Sequence, residues 1–257
     1  MSTPTQTPQA NPAPAQQPPA KQTDIRTLLQ SDKVKQQLAI VLPKHLTPDR
    51  MTRVALTCVL RTPQLAACRP ESLLQSLMLL SQIGLEPDGR HAHLVPYKGI
   101  VTAIVDYRGY IALARRNGLS RIATGVVREG DTFAWRRDSS GLHFSHEVQC
   151  ADRGDVLAAY CVWDDGGECD GELMSREEIE RIRQRSQAAK DGPWVTDWDE
   201  MAKKTVVRRA SKRWPIDATI SAAVDVIERG QRQAALGTMI DIPPEVRVEP
   251  GDATDEK

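Results

Sequence analysis

The sequence predicts an α+β fold: N-terminal helices, a small antiparallel β-sheet with a β-hairpin, then C-terminal helices, flanked by disordered N- and C-terminal tails. Three observations carry this. Apolar residues recur at helical spacing between residues 24 and 84, short apolar runs alternate with Gly- and Asp-containing turns between 91 and 174, and strong helix-start signals return after Ser175. Helices, then strands, then helices is the order of an α+β protein, not the strand–helix alternation of a doubly wound sheet.

Each element has a local reason. Ser31 can cap a helix from Asp32 to Leu42, which Pro43 stops. Thr47-Pro48 starts another, with Pro at the first helical position, and Pro63 ends it. Pro70 opens a third, through Leu73, Leu77 and Leu80, with Gly84 as its C-cap. His91–Tyr97 and Ile100–Asp106 flank Lys98-Gly99, which reads as a tight hairpin. A helix follows from Tyr107 to Asn117, closed by Gly118. Ile122–Arg128, Thr132–Arg137, Leu142–His146, Val156–Trp163 and Glu168–Met174 are strand candidates separated by turn chemistry. Ser175-Arg-Glu-Glu has capping-box spacing for a helix reaching about Gln187. A loop, Ala188 to Val195, contains Gly192-Pro193-Trp194; Thr196 then starts a helix to Trp214, which Pro215 breaks. A last helix spans about Asp217 to Ala235.

The organisation reads as a Pro/Gln/Ala-rich disordered arm (1–23), a single folded domain (24–236) and an acidic disordered tail (237–257). Within residues 1–20 there are six Pro and four Gln and no charge, so no packed core can form there. The 257 residues carry 34 Lys plus Arg and 34 Asp plus Glu, but residues 238–257 hold six acids against two bases, so the remainder is slightly basic. The chain has neither a membrane-length apolar run nor a signal-peptide pattern, which sets the expectation of a cytoplasmic protein that contacts no membrane. Its five cysteines show no CxxC spacing and no neighbouring His set, so the reading is reduced thiols and no metal site.

The segment Trp198–Trp214, WDEMAKKTVVRRASKRW, is the most informative. At about 100° per residue, Lys204, Arg208 and Lys212 form a stripe that Arg209 and Arg213 widen, opposite Val206, Val207, Ala210 and Trp214. Lys203 falls inside the apolar arc and must snorkel, pair with an acid, or point into a groove. Locally only Asp199 and Glu200 neutralise the run. A basic face of this kind suits phosphate, the blander alternative being a solvated surface.

A second basic patch lies in residues 96–137, with eight cations against three acids. Arg108, Arg115 and Arg116 sit on the helix after the hairpin, with Tyr107, Tyr110, Ile111 and Ala114 on its other face. Tyr107 is either a core residue or a platform for a base, and Trp194 carries the same two readings. Zinc-finger spacing, a zipper heptad, an RNP1 string, a Walker A loop and G-x-S-x-G are all missing, so sequence-reading and ATP-driven mechanisms are disfavoured. Pro87-Asp88 and Asp106-Tyr107-Arg108 loosely imitate the paired carboxylates of a metal-dependent nuclease, but Arg stands where Lys would assist the water.

The blocks LPKHLTPDRMTRVA (42–55), SQIGLEPDGRHAHLVPY (81–97), VDYRGYIALARRNG (105–118), VVREGDTF (126–133) and GPWVTDWDEMAKKTVVRRASKRWP (192–215) resemble the RecT family of phage and prophage single-strand annealing recombinases, over about residues 30–215. The resemblance implies ATP-independent binding of single-stranded DNA, annealing to a complementary strand through a duplex intermediate, and homo-oligomeric rings or helical filaments. It implies no covalent catalysis and no required cofactor, with Mg²⁺ acting only by competing for phosphates. It also implies a 5′→3′ exonuclease partner, with a host single-strand binding protein as a further candidate. On this basis Lys203, Lys204, Arg208 and Lys212 are first choices for phosphate contact. Arg209, Arg108, Arg115 and Arg116 follow, with Tyr107 and Trp194 as aromatic candidates. The short hairpin and the Pro-rich arm depart from the family pattern and receive no role. A metal-dependent nuclease and a non-annealing nucleic-acid-binding scaffold are the competing readings.

Overall fold

A computed structural model describes residues 25–186, 189–190 and 192–236. The predicted arm (1–23) and acidic tail (237–257) lie outside the described residues. The first helix, α1 (Ile25–Gln30), ends at Ser31. Ser31 Oγ donates to the Leu28 carbonyl at 2.8 Å and accepts from the Val34 amide at 3.4 Å, so one hydroxyl closes α1 and caps α2 (Asp32–Val41). Thr47 caps α3 (Pro48–Arg61), and a 3₁₀ turn at Pro63–Leu65 leads to α4 (Pro70–Gln82). Leu73, Leu77, Leu79, Leu80 and Ile83 on and just after α4 are fully buried, which makes α4 the spine of the core. Ser72 and Ser76 face the sheet: the Val101 amide donates to Ser72 Oγ at 2.9 Å, and Ser76 Oγ donates to the Val101 carbonyl at 3.0 Å.

The strands form three antiparallel sheets rather than one. The first is the hairpin of β1 (Ala92–Tyr97) and β2 (Ile100–Val105), turned at Lys98-Gly99 with φ of 47° and 80°. Both central residues are left-handed, the geometry whose twist matches paired strands. After α5 (Tyr107–Arg116) comes β3 (Ser120–Arg128), which pairs with β6 (Val156–Asp165), itself paired with β7 (Glu168–Ser175). The third sheet is the hairpin of β4 (Thr132–Asp138) and β5 (Gly141–Glu147). Phe133, Trp135, Phe144 and His146 point to one side of it; Phe133, Phe144 and His146 surround Tyr160 of β6, and Trp135 packs on Phe133 and Phe144. Gly171 of β7 lets this hairpin approach, because a Cβ there would lie 2.6 Å from Trp135 and 2.7 Å from Leu142. The β4–β5 hairpin is therefore a separate two-stranded sheet, and its apolar side chains pack with Val127, Tyr160 and Val162 as a second, smaller core.

The last third departs from the predicted boundaries. The capping box on Ser175 is present, but α6 (Arg176–Gln184) ends before Gln187, which lies outside the described residues. The expected loop contains a short helix, α7 (Pro193–Thr196). The following helix, α8 (Trp198–Ala210), starts after Asp197 rather than at Thr196. Thr196 completes α7 instead, and its hydroxyl donates to Asp197 Oδ2 at 2.6 Å. Nor does α8 reach Trp214. It tightens into a 3₁₀ turn at Ser211–Arg213, because the residue before Pro215 is pushed out of the α region and Trp214 takes ψ 146°. Helix α9 (Ala218–Leu236) then packs along β2 and α4. Among the described residues no helix is long and apolar enough to cross a membrane.

Candidate nucleic-acid interface

The two predicted basic helices meet. Helix α5 begins at Asp106, whose carboxylate accepts from the Arg108 amide at 3.1 Å, and the Asp106 amide donates to the His91 carbonyl at 2.9 Å. Gly109 seats α5 against the start of β1, since a Cβ there would lie 2.3 Å from the His91 carbonyl oxygen. Helix α8 buries Ala202, Val206, Val207 and Ala210 and lies beside α5. The seam between them carries the candidate site.

At its N-terminal end Tyr107 donates its hydroxyl to Glu200 Oε2 at 3.2 Å, and Lys203 reaches Glu200 Oε1 at 2.7 Å. The Arg108 guanidinium stands 5.4 Å from the Tyr107 ring centroid. Lys203 therefore resolves its place in the apolar arc by pairing with an acid. Glu200 is held below the usual carboxylate range by Lys203 first, with Tyr107 and Arg108 adding to it. Lys204 is half-buried and, among the described residues, makes no ion pair or hydrogen bond. Burial, helped by the Arg208 charge, holds its ammonium below the ordinary lysine value against the opposing pull of Asp106.

Halfway along the seam Arg208 Nε donates to Glu228 Oε1 at 2.6 Å, and the buried Tyr110 hydroxyl donates to the same oxygen at 2.7 Å. Burial disfavours both charges, yet the pair outweighs it: Glu228 is lowered and Arg208 raised. Arg208 thus fastens α9 to α8. Arg209 lies on the other edge, 2.7 Å from Glu172 and 2.9 Å from Glu178. Arg213 binds Asp170 at 2.6 Å and the Gly171 carbonyl at 3.0 Å, and covers the Trp163 ring. Lys212 is exposed, and Arg108 and Arg115 are exposed on α5 with no acid paired to them among the described residues.

Two further candidates are structural. Arg116 donates to the Gly84 carbonyl at 2.7 Å and the Ile83 carbonyl at 3.3 Å, and lies 2.7 Å from His45 Nε2. It closes the C-terminus of α4. Trp194 is buried in the main core at 4% exposure, leaving no ring face for a base. The structure therefore brings Tyr107, Arg108 and Lys203 together at Glu200, with Lys204 half-buried beside Asp106 and Arg208; it sets Lys212 and Arg115 apart as exposed cations, engages Arg208, Arg209 and Arg116 with partners within the fold, and buries Trp194.

Glu228, Glu172, Glu178 and Asp170 neutralise Arg208, Arg209 and Arg213 from outside the basic segment. They come from α9, β7 and α6, so no local charge count could find them. Asp199, counted as a local neutraliser, pairs instead with Arg128 at 2.7 Å. The nuclease carboxylates are also occupied. Asp88 accepts from the Arg90 amide at 2.8 Å, the His91 amide at 2.7 Å and His91 Nδ1 at 2.6 Å, while Asp106 caps α5. Among the described residues no three His, Cys, Asp or Glu side chains converge as a metal site.

A model described as RecT family matches residues 49–236. The chain is 38% identical over 234 residues to Protein RecT of Escherichia coli (strain K12), covering 86% of this chain and 85% of that protein. It is 28% identical over 195 residues to Uncharacterized protein YqaK of Bacillus subtilis (strain 168), covering 75% of this chain and 67% of that protein.

Proposed function

This chain belongs to the RecT family, and from that premise we propose that it binds single-stranded DNA and anneals complementary strands without ATP or covalent chemistry. The observation that carries the reading is the α5–α8 seam inside the matched stretch, where Arg108 stands over Tyr107, Lys203 shares Glu200 with that tyrosine, and Lys204 lies half-buried near Asp106 and Arg208. Two polyphosphate strands repel each other, and a basic seam relieves that repulsion by replacing condensed counterions on one strand. Contacts to phosphate leave the base edges free, so the bound strand can still be read by a complement. Tyr107 is half-buried with the Arg108 guanidinium over its ring, and together the two supply a planar surface on which a base can stack.

The placement of the cations supports a division of roles within this reading. Lys204, Lys203 and Arg108 are the central phosphate contacts, and Lys212 and Arg115 extend the track. Arg208, Arg209, Arg116 and Trp194 hold the helices that present them. Homo-oligomerisation into a ring or filament on DNA, and work beside a 5′→3′ exonuclease and a host single-strand binding protein, belong to the same reading. Such an annealer needs no resident cofactor; Mg²⁺ competes for phosphate.

The test is annealing of two complementary oligonucleotides carrying a dye pair, with Mg²⁺ and without ATP. Wild type should accelerate pairing, and a Lys204→Glu/Arg108→Glu variant should lose that acceleration while keeping its fold. Binding without acceleration would leave a plain nucleic-acid scaffold. Shortened strands in Mg²⁺ would point to a nuclease.

A further inference from the structure

We propose that Glu200 is a built-in competitor for the DNA phosphate, occupying the centre of the donor set when no strand is bound. The inference rests on the annealing reading and deepens it. Both Glu200 oxygens are engaged by seam residues: Oε1 by the Lys203 ammonium at 2.7 Å and Oε2 by the Tyr107 hydroxyl at 3.2 Å. Arg108 stands over the same tyrosine. An anionic, bidentate acceptor among two cations and a hydroxyl presents these donors with what a phosphate would.

An acid in the first turn of a helix is ordinarily explained by the helix dipole. Asp199, the preceding residue, stands in that same first turn. Glu200 instead reaches forward to Lys203 and across to α5, and the box that would return it to the N-cap amide is missing. Its side chain is 49% exposed, so it can swing into water without opening the core. A phosphate entering the seam therefore exchanges one anion for another. Lys203 and Tyr107 are kept pointed at the site while it is empty, and the strand gains less than bare donors would offer. Modest grip is what strand hand-over requires, because a tightly held strand cannot pass to its complement.

The test compares Glu200→Gln with Glu177→Gln, which makes the same change of net charge at an exposed residue of α6. Kd for an oligothymidine is measured over a salt series, with thermal melts to check folding. Glu200→Gln should bind about two- to fivefold more tightly at low salt, the reach of one partly exposed pair. Its salt dependence should steepen by about 0.7 in log–log slope, the value for one additional cation on a single strand. Lys203→Gln should cost more affinity in the Glu200→Gln background than in wild type. Glu200→Asp, which keeps the helix-start charge but shortens its reach, should shift affinity the same way by less. Equal behaviour of Glu200→Gln and Glu177→Gln, with Lys203 additive in both backgrounds, would overturn the competitor and leave the annealing reading standing. Failure of wild type and Glu200→Gln alike to bind the oligonucleotide would overturn both.

Discussion

Arg208 and Glu228 form a 2.6 Å ion pair that joins α8 to α9. The Glu228 side chain is only 8% exposed, and its Oε1 also accepts from Tyr110 on α5. Three helices thus converge on one carboxylate oxygen, and a residue from the middle of the basic stripe is spent inside the fold.

The first prediction follows. Arg208→Met leaves the Glu228 carboxylate buried with one hydroxyl for company. Breaking a buried pair costs about 3–5 kcal/mol, and the part-exposed guanidinium brings the expected loss to about 2 kcal/mol. Thermal denaturation should show a lower Tm, with Glu228→Gln milder because an amide still accepts from Tyr110. Folded Arg208→Met, assayed in the cold, should bind an oligothymidine nearly as wild type does.

Acid stability should depend on Asp131. Its buried carboxylate accepts from Arg153 at 2.9 and 2.5 Å, the Arg128 amide at 2.8 Å, His146 Nε2 at 3.1 Å and the Gln149 amide at 3.1 Å. Arg153 first, then these other donors, hold its carboxyl far below the usual carboxylate range despite burial. A carboxyl lowered by folding adds stability that is fully present above its unfolded value of about 3.9 and is lost as pH falls towards the folded value. Asp131→Asn should therefore lower Tm at pH 7 and flatten the fall of Tm between about pH 4 and pH 2. An unchanged acid limb would remove Asp131 as its source.

Gly109→Ala should run against helix propensity. Ala is favoured over Gly by about 1 kcal/mol in a helix interior. Here the added Cβ would meet the His91 carbonyl oxygen at 2.3 Å and Val105 at 2.9 Å, and backbone cannot step aside as a side chain can. Overpacking of this kind costs about 1–3 kcal/mol. A lower Tm, and weaker DNA binding as α5 lifts from β1, are the expected results.

Much of the fold was legible because its signals are local. Ser31, Thr47 and Ser175 caps, the Lys98-Gly99 turn and the prolines at 48 and 70 each act within about four residues, and each lies where the sequence places it. The site was legible only as far as its chemistry is local. The helix positions of Lys204 and Arg208 follow from spacing, but whether each cation is free does not. Arg208 and Arg209 look alike in sequence, and their partners arrive from α9, β7 and α6. Arg116 reads as a surface cation until α4 ends beside it. The boundary at Trp198 was missed because Thr196 and Asp197 are both plausible caps, and only the preceding short helix decides between them.

The last prediction separates the free cation from the paired one on the same helix. Lys204 has no ion pair among the described residues and sits in the seam, whereas Arg209 is held by Glu172 and Glu178. A lysine that meets a phosphate displaces a condensed counterion, so Lys204→Gln should weaken single-strand binding and reduce the log–log salt slope by about 0.7. Arg209→Gln should leave that slope unchanged, because its charge is already neutralised within the fold, and should act through a lower Tm instead. The two variants change net charge equally, so nonspecific attraction cannot account for a difference between them. Equal slopes for Lys204→Gln and wild type would move the phosphate track away from the α5–α8 seam, towards the exposed Lys212 and Arg115.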